Sequence, residues 1–145
     1  MPVRWKFDRP AELCYPVPIP HREEGILSYI RQGGRAVAEL TGPEPVLTDT
    51  QSALELAMTA RYAAGADRLL VDKAAVAEDF FILSTGLAGE ILQKFVNYQV
   101  KMAVYGDFSR YTSKPLRDFI YESNQGEHFW FVPTREEALR RLTEG

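Results

Sequence analysis

Arg68-Leu69-Leu70-Val71-Asp72, then Gly86-Leu87-Ala88-Gly89-Glu90-Ile91-Leu92-Gln93-Lys94-Phe95-Val96-Asn97-Tyr98, then Val100-Lys101-Met102-Ala103-Val104-Tyr105: these three runs decide the fold. The outer two are short and nearly all apolar, which suits strands buried on both faces. The middle run puts Leu87, Ile91, Phe95 and Tyr98 on one stripe of a helix over 86–98, with Ser84-Thr85 at its start. A strand, a helix and a strand at this spacing form a crossover unit whose strands lie parallel in one sheet. Between the first strand and the helix, residues 73–83 read as a loop holding one helical turn around Glu78-Asp79-Phe80-Phe81.

Upstream, Ile26–Arg31 and Arg35–Leu40 flank Gln32-Gly33-Gly34. Paired glycines supply the positive φ of a tight hairpin turn. With Gly33-Gly34 as the turn, Tyr29 faces Ala38 and Leu27 faces Leu40 on one side, and Ser28 faces Glu39 on the other, wetter side. Pro43 and Pro45 break the strand, and Thr48-Asp49-Thr50-Gln51 offers a Thr-x-x-Gln capping box. The helix it opens, over 50–64, is expected to bury Leu54, Ala57, Met58, Arg61 and Tyr62 and to stop at Gly65. Downstream, Ser113 is expected to cap a helix over 114–123 with Pro115 in its first turn and Leu116, Phe119 and Ile120 inside. His128–Val132 reads as the last strand, and Thr134-Arg135-Glu136-Glu137 opens a helix burying Ala138, Leu139 and Leu142.

The resulting order is a β-hairpin followed by α-β-α-β-α-β-α. It implies an α/β domain over 25–145: a single-layer mixed sheet of four to five strands with an N-terminal β-hairpin, covered by α-helices. Right-handed crossovers bring the C-terminal ends of the parallel strands to one edge, where ligand sites of open α/β sheets lie. Residues 1–24 read differently. Five prolines fall in the first 20 positions, and Pro16, Pro18 and Pro20 alternate with Val17 and Ile19 along an extended path. This segment is expected to be a tail that packs Trp5, Phe7, Leu13 and Tyr15 on the domain or on a second subunit of a homo-oligomer.

The chain has 145 residues, 46% hydrophobic and 26% charged, an ordinary globular composition. Its 17 basic and 20 acidic residues give a net charge of −3, without the basic excess that binding to nucleic-acid phosphates requires. Cys14 is the single cysteine; it can form no internal disulfide, which suits a reducing cytoplasm. No uncharged apolar run approaches the ~20 residues that cross a bilayer, and Met1–Arg9 does not have the pattern of a signal peptide. A cytoplasmic protein with no membrane or nucleic-acid partner is therefore expected. His21 and His128 make no catalytic set, and no nucleophile elbow, phosphate loop or zinc-binding His pair occurs. No cofactor, metal or catalytic residue is assigned.

Glu78-Asp79-Phe80-Phe81, Thr85–Phe95, Gly106-Asp107-Phe108, Ser113-Lys114 and Phe119–Asn124 together resemble the bacterial family called domain of unknown function 4180, over residues 26–142. That family carries no activity to import. The chain is more remotely similar to STAS domains, the fold of anti-sigma factor antagonists. Those have a Ser-Ser-Gly-Leu or Ser-Thr-Gly-Leu loop between a strand and a helix, and Ser84-Thr85-Gly86-Leu87 stands in that place. The resemblance implies a STAS-like fold, a regulatory or protein-interaction role and a hydroxyl phosphorylated by a partner kinase. The Asp that usually precedes the pair in those domains is Leu83 here.

The candidate binding or regulatory residues are Ser84, Thr85, Asp107, Ser109, Lys114 and Lys73. Ser84 and Thr85 stand at a helix start, where a hydroxyl caps free N–H groups and where the same groups attract an anion. Asp107 and Ser109 follow a strand, near Lys114; an Asp there is more often a turn-former, and the alternative is a loop that binds a small polar ligand; Lys73 ends the neighbouring strand. Two readings stay open: a surface for a protein partner, and a site for a small anionic ligand. Gly86-x-x-Gly89 is expected to let its helix pack closely on the sheet.

Overall fold

The computed structural model of the chain describes residues 16–19, 22–32, 34–42 and 45–144, with side chains from Leu27 onward. Among the described residues six strands form one sheet in chain order: β1 (Pro16–Ile19), β2 (Arg22–Gln32), β3 (Arg35–Thr41), β4 (Arg68–Asp72), β5 (Lys101–Tyr105) and β6 (Phe129–Val132). β1, β2 and β3 pair antiparallel, and β3 to β6 pair parallel. The hairpin has the expected register, with Leu27 opposite Leu40, Ser28 opposite Glu39 and Tyr29 opposite Ala38. Gly34 has φ +77°, a conformation glycine adopts without cost; Gly33 lies outside the described residues.

The expected count of four to five strands is corrected to six. The added strand is Pro16–Ile19, part of the segment that reads as a tail. Proline has no N–H to give a ladder, so such a segment joins a sheet only at its edge, and β1 is an edge strand. Residues 1–15, with Trp5, Phe7, Leu13, Cys14 and Tyr15, lie outside the described residues, as do residues 20 and 21.

Strand alternation sorts the core into two layers. On one face Leu27, Tyr29, Ala38, Leu40, Leu69, Val71, Met102, Val104 and Phe131 meet the helices α1 (Thr50–Ala64), α2 (Leu87–Asn97) and α3 (Lys114–Gln125). On the other, Val37, Leu70, Ala103, Trp130 and Val132 meet Ala138, Leu139 and Leu142 of α4 (Arg135–Glu144). Helix α4 is held at its far end by Arg68, a buried residue whose Nε donates to the Leu142 carbonyl at 2.7 Å.

Helix α1 buries a different face from the one expected. Ser52, Ala53, Leu56, Ala57, Ala60 and Ala63 are inside, whereas Met58 and Tyr62 are 50% and 65% exposed. Small side chains let the helix backbone come close to its neighbours, and the larger ones are turned outward. The cap is also displaced by one residue: Asp49 accepts from the Ser52 N–H at 2.8 Å, and the Ser52 hydroxyl accepts from the Asp49 N–H at 3.0 Å. A carboxylate takes the N-cap position that Thr48 was expected to hold.

Helix α2 buries Ala88, Ile91, Leu92 and Phe95 and leaves Tyr98 exposed beyond its end. Its N-cap is Gly86, with φ +78°, in place of the expected Ser84-Thr85 start. The expectation that Gly89 aids packing on the sheet is also corrected: a Cβ there would meet nothing within 4 Å. Pro115 occupies the first turn of α3, as expected, but the Ser113 hydroxyl makes no cap hydrogen bond.

Candidate functional site

β4 and β5 end side by side, with Asp72 opposite Tyr105. The loops that leave them, 73–86 and 106–113, meet over the C-terminal edge of the sheet. The first loop is three short 3-10 turns, Lys73–Ala75, Glu78–Phe81 and Leu83–Thr85. It is anchored by Phe80, which is fully buried, and Phe81, which is nearly so. The second loop brings Phe108 and Tyr111 onto it. Tyr111 stacks on Phe81 with ring centroids 5.2 Å apart and planes 21° apart, and Phe108 lies edge-on to Phe131 at 6.0 Å. The Tyr111 hydroxyl donates to Glu78 Oε2 at 2.8 Å. Burial and then this carboxylate push the Tyr111 phenol well above its ordinary value.

Gly106 makes the approach of the two loops possible. Its φ is +155°, and a Cβ on it would stand 2.6 Å from the Cβ of Lys73. The Lys73 stem therefore occupies the space a side chain at 106 would need. Its ammonium reaches the aromatic pair, 4.9 Å from the Tyr111 centroid and 5.6 Å from that of Phe81, a cation–π arrangement. Lys73 thus ties the loop after β4 to the loop after β5.

Beside this aromatic joint runs a groove of about 510 Å³ between the 78–84 segment and the start of α3. Phe81, Ile82, Leu83, Pro115 and Leu116 give it an apolar lining, and Ile82 is 46% exposed. Glu78, Ser84, Arg110, Thr112 and Ser113 supply its polar groups. No ion pair involves Arg110 among the described residues.

Of the residues singled out in the sequence, Ser84 lines this groove. The Thr85 hydroxyl is turned into its own loop. It lies 2.8 Å from the Ile82 carbonyl and 2.9 Å from that of Asp79, to which it donates, and it accepts from the Leu87 N–H at 3.2 Å. Asp107 and Ser109 bond to each other: Asp107 Oδ1 accepts from the Ser109 N–H at 2.9 Å and its hydroxyl at 2.6 Å. Those two bonds hold the Asp107 carboxyl below the usual carboxylate range. Lys114 pairs with Asp118 at 2.7 Å on the exposed side of α3, and this hydrogen bond raises its pKa. Arg110, Tyr111 and Ile82 complete the site without having stood out in the sequence; the three-residue spacing of Phe108 and Tyr111 after a strand was their one local signal.

A second polar cluster lies on the α4 side of the same edge. Glu39, expected on a wet face, is 8% exposed. Its carboxylate accepts two hydrogen bonds from Arg135, Nε at 2.6 Å and Nη2 at 2.7 Å, and one from the Tyr105 hydroxyl at 3.3 Å. Burial, then the charges of Glu39 and Asp72, push the Tyr105 phenol up to about 12. The arrangement joins the start of α4 to β3. Among the described residues no group of three His, Cys, Asp or Glu side chains is placed to hold a metal ion, and no helix is long and apolar enough to cross a membrane.

Comparison with known families matches residues 32–142 to the domain of unknown function DUF4180. The chain belongs to this family. The matched span runs from the hairpin turn into α4, so it includes both aromatic loops, the groove and the Glu39–Arg135 pair. No curated protein and no solved structure matches the chain.

Proposed function

We propose that this DUF4180 chain is a STAS-like, cytoplasmic regulatory module that binds a protein partner through the groove beside Ile82. The carrying observation is the character of that groove: open, lined by Phe81, Ile82, Leu83 and Leu116, and rimmed by Arg110. An apolar side chain with an acidic neighbour on the partner would satisfy both the lining and the guanidinium. The Ser84-Thr85-Gly86-Leu87 turn supports the STAS-like part of the proposal. Thr85 Oγ1 is engaged by its own loop, which supports Ser84, exposed and facing the groove, as the regulatory hydroxyl. Phosphate at Ser84 would add charge at the docking face.

The test uses affinity capture from the native host with the wild type, Ile82→Glu and, as a control on α1, Met58→Glu. Both replaced residues are exposed, so stability should change by no more than ~0.5 kcal/mol. A partner held by the wild type and Met58→Glu but lost by Ile82→Glu supports the groove; a partner that Ile82→Glu retains removes it. A second reading, binding of a small anion, is favoured by Arg110 lying with the Ser84, Thr112 and Ser113 hydroxyls where α3 begins. Calorimetry with inorganic phosphate, on the wild type and Arg110→Ala, tests that reading: heat that Arg110→Ala abolishes supports it, and a flat wild-type titration sinks it.

A further inference from the structure

β6 is the outer strand of the sheet on the side away from the hairpin. Its inward groups serve β5: the His128 and Val132 carbonyls accept from the Met102 and Gly106 N–H groups, each at 3.0 Å. Alternation then turns the main-chain groups of Phe129, Phe131 and Pro133 to the free edge. An unpaired row of this kind is a template for another strand.

The row is not open. Asn124, in the last turn of α3, presents its carboxamide to Phe131: its Oδ1 accepts from the Phe131 N–H at 2.7 Å, and its Nδ2 donates to the Phe131 carbonyl at 3.0 Å. One donor and one acceptor, paired with one residue's N–H and C=O, reproduce what a neighbouring strand would offer. The next outward position is Pro133, which has no N–H to give. The Asn124 main chain is itself held from α4, since Arg141 Nη1 donates to its carbonyl at 3.1 Å. Among the described residues only Phe129 is left as an unobstructed outward residue of β6, too little for a ladder.

We infer that Asn124 closes the β6 edge of the sheet and thereby keeps a second copy of this chain from adding its own β6 strand there. The occupant excluded is a second copy because it carries the same apolar strand, Phe-Trp-Phe-Val. The groove of the preceding subsection takes no part in this device.

Sedimentation velocity over a hundredfold concentration range, combined with amide hydrogen exchange, tests the inference on the full chain. The wild type should show one sedimentation coefficient throughout, and its Phe131 amide should exchange as slowly as that of Trp130, although it faces the edge. Asn124→Ala should add a heavier species that grows with concentration and in which the Phe129 and Phe131 amides gain protection. Asn124→Ala that sediments as the wild type does, or associates with those two amides still open, overturns the inference. Should Asn124→Ala fail to fold, Asn124→Leu carries the same comparison, because it keeps the side-chain volume while removing both hydrogen bonds to Phe131. Wild-type exchange needs no variant: a Phe131 amide that exchanges as fast as an exposed loop amide also overturns the closure.

Discussion

Replacing Arg135 with Ala isolates the contribution of the Glu39 cluster. The Glu39 carboxylate is nearly buried and receives two short hydrogen bonds from one guanidinium. Removing one partner of a fully buried pair costs about 3–5 kcal/mol, because the other charge is stranded. Arg135 is not fully buried; its side chain is 38% exposed, against 11% for Glu39. Water can follow a truncated side chain into such a site, and the Tyr105 hydroxyl stays within 3.3 Å. The expected loss is therefore about 2–3 kcal/mol. For a chain of this size that lowers the melting temperature by about 6–12 °C. Glu39→Leu combined with Arg135→Met removes both charges while keeping volume, and should recover most of the loss. The assay is urea unfolding followed by tryptophan fluorescence, with Trp130 on the same face of the sheet, and Glu39→Leu, Arg135→Met and their double form a cycle. A loss below ~0.5 kcal/mol for Arg135→Ala would mean that the pair behaves as a surface bridge, and that apolar packing alone seats α4.

Three further outcomes follow from the packing of the helices and loops on the sheet and from ionisation at its C-terminal edge. Phe95→Ala should cost about 3–5 kcal/mol, since Phe95 is 1% exposed on the inner stripe of α2; thermal melting reads the change. Gly106→Ala should cost about 2–4 kcal/mol through backbone strain and overpacking, and Lys73→Gly in the same chain should restore part of it by removing the clashing Cβ. Tyr105 is neutral in the folded chain up to about 12, against 10.0 when unperturbed. The unfolded chain thus releases this proton first, and the stability it contributes is present below pH 10 and is lost as pH rises toward about 12. Tyr105→Phe should flatten that alkaline loss in denaturation measured from pH 9 to 12; an unchanged slope would count against a native-state shift at Tyr105.

What was legible in the sequence was local. The Gly33-Gly34 pair fixes a hairpin register by itself, because a two-residue connection leaves one way to pair the flanking strands, the one found with Gln32 opposite Arg35. The alternation of apolar strands with helices fixes the parallel half of the sheet in the same way. Helix α1 is only partly legible: Ala57 is on the buried face as expected, but the stripe is completed by Ala53, Leu56 and Ala60 rather than by Met58 and Tyr62. The edge strand Pro16–Ile19 is not legible in the sequence, because Pro16 and Pro18 bar only a central position and no local signal separates an edge strand from a tail.

The candidate site was less legible for a different reason: its residues acquire their roles from partners far along the chain. Tyr111 and Glu78 are 33 residues apart and Glu39 and Arg135 are 96 apart. A Glu after Ala-Val-Ala in a strand signals a solvated face until an arginine arrives from the last helix to pair with it. Gly106-Asp107-Phe108 was recognisable as a pattern, yet each member has its own cause. Asp107 is needed by Ser109, two residues away, and Phe108 by Phe131. Gly106 is needed by Lys73, the first residue of the loop after β4. The glycine therefore reports the fit between two loops, and a substitution there reads out their contact rather than any property of the turn that contains it.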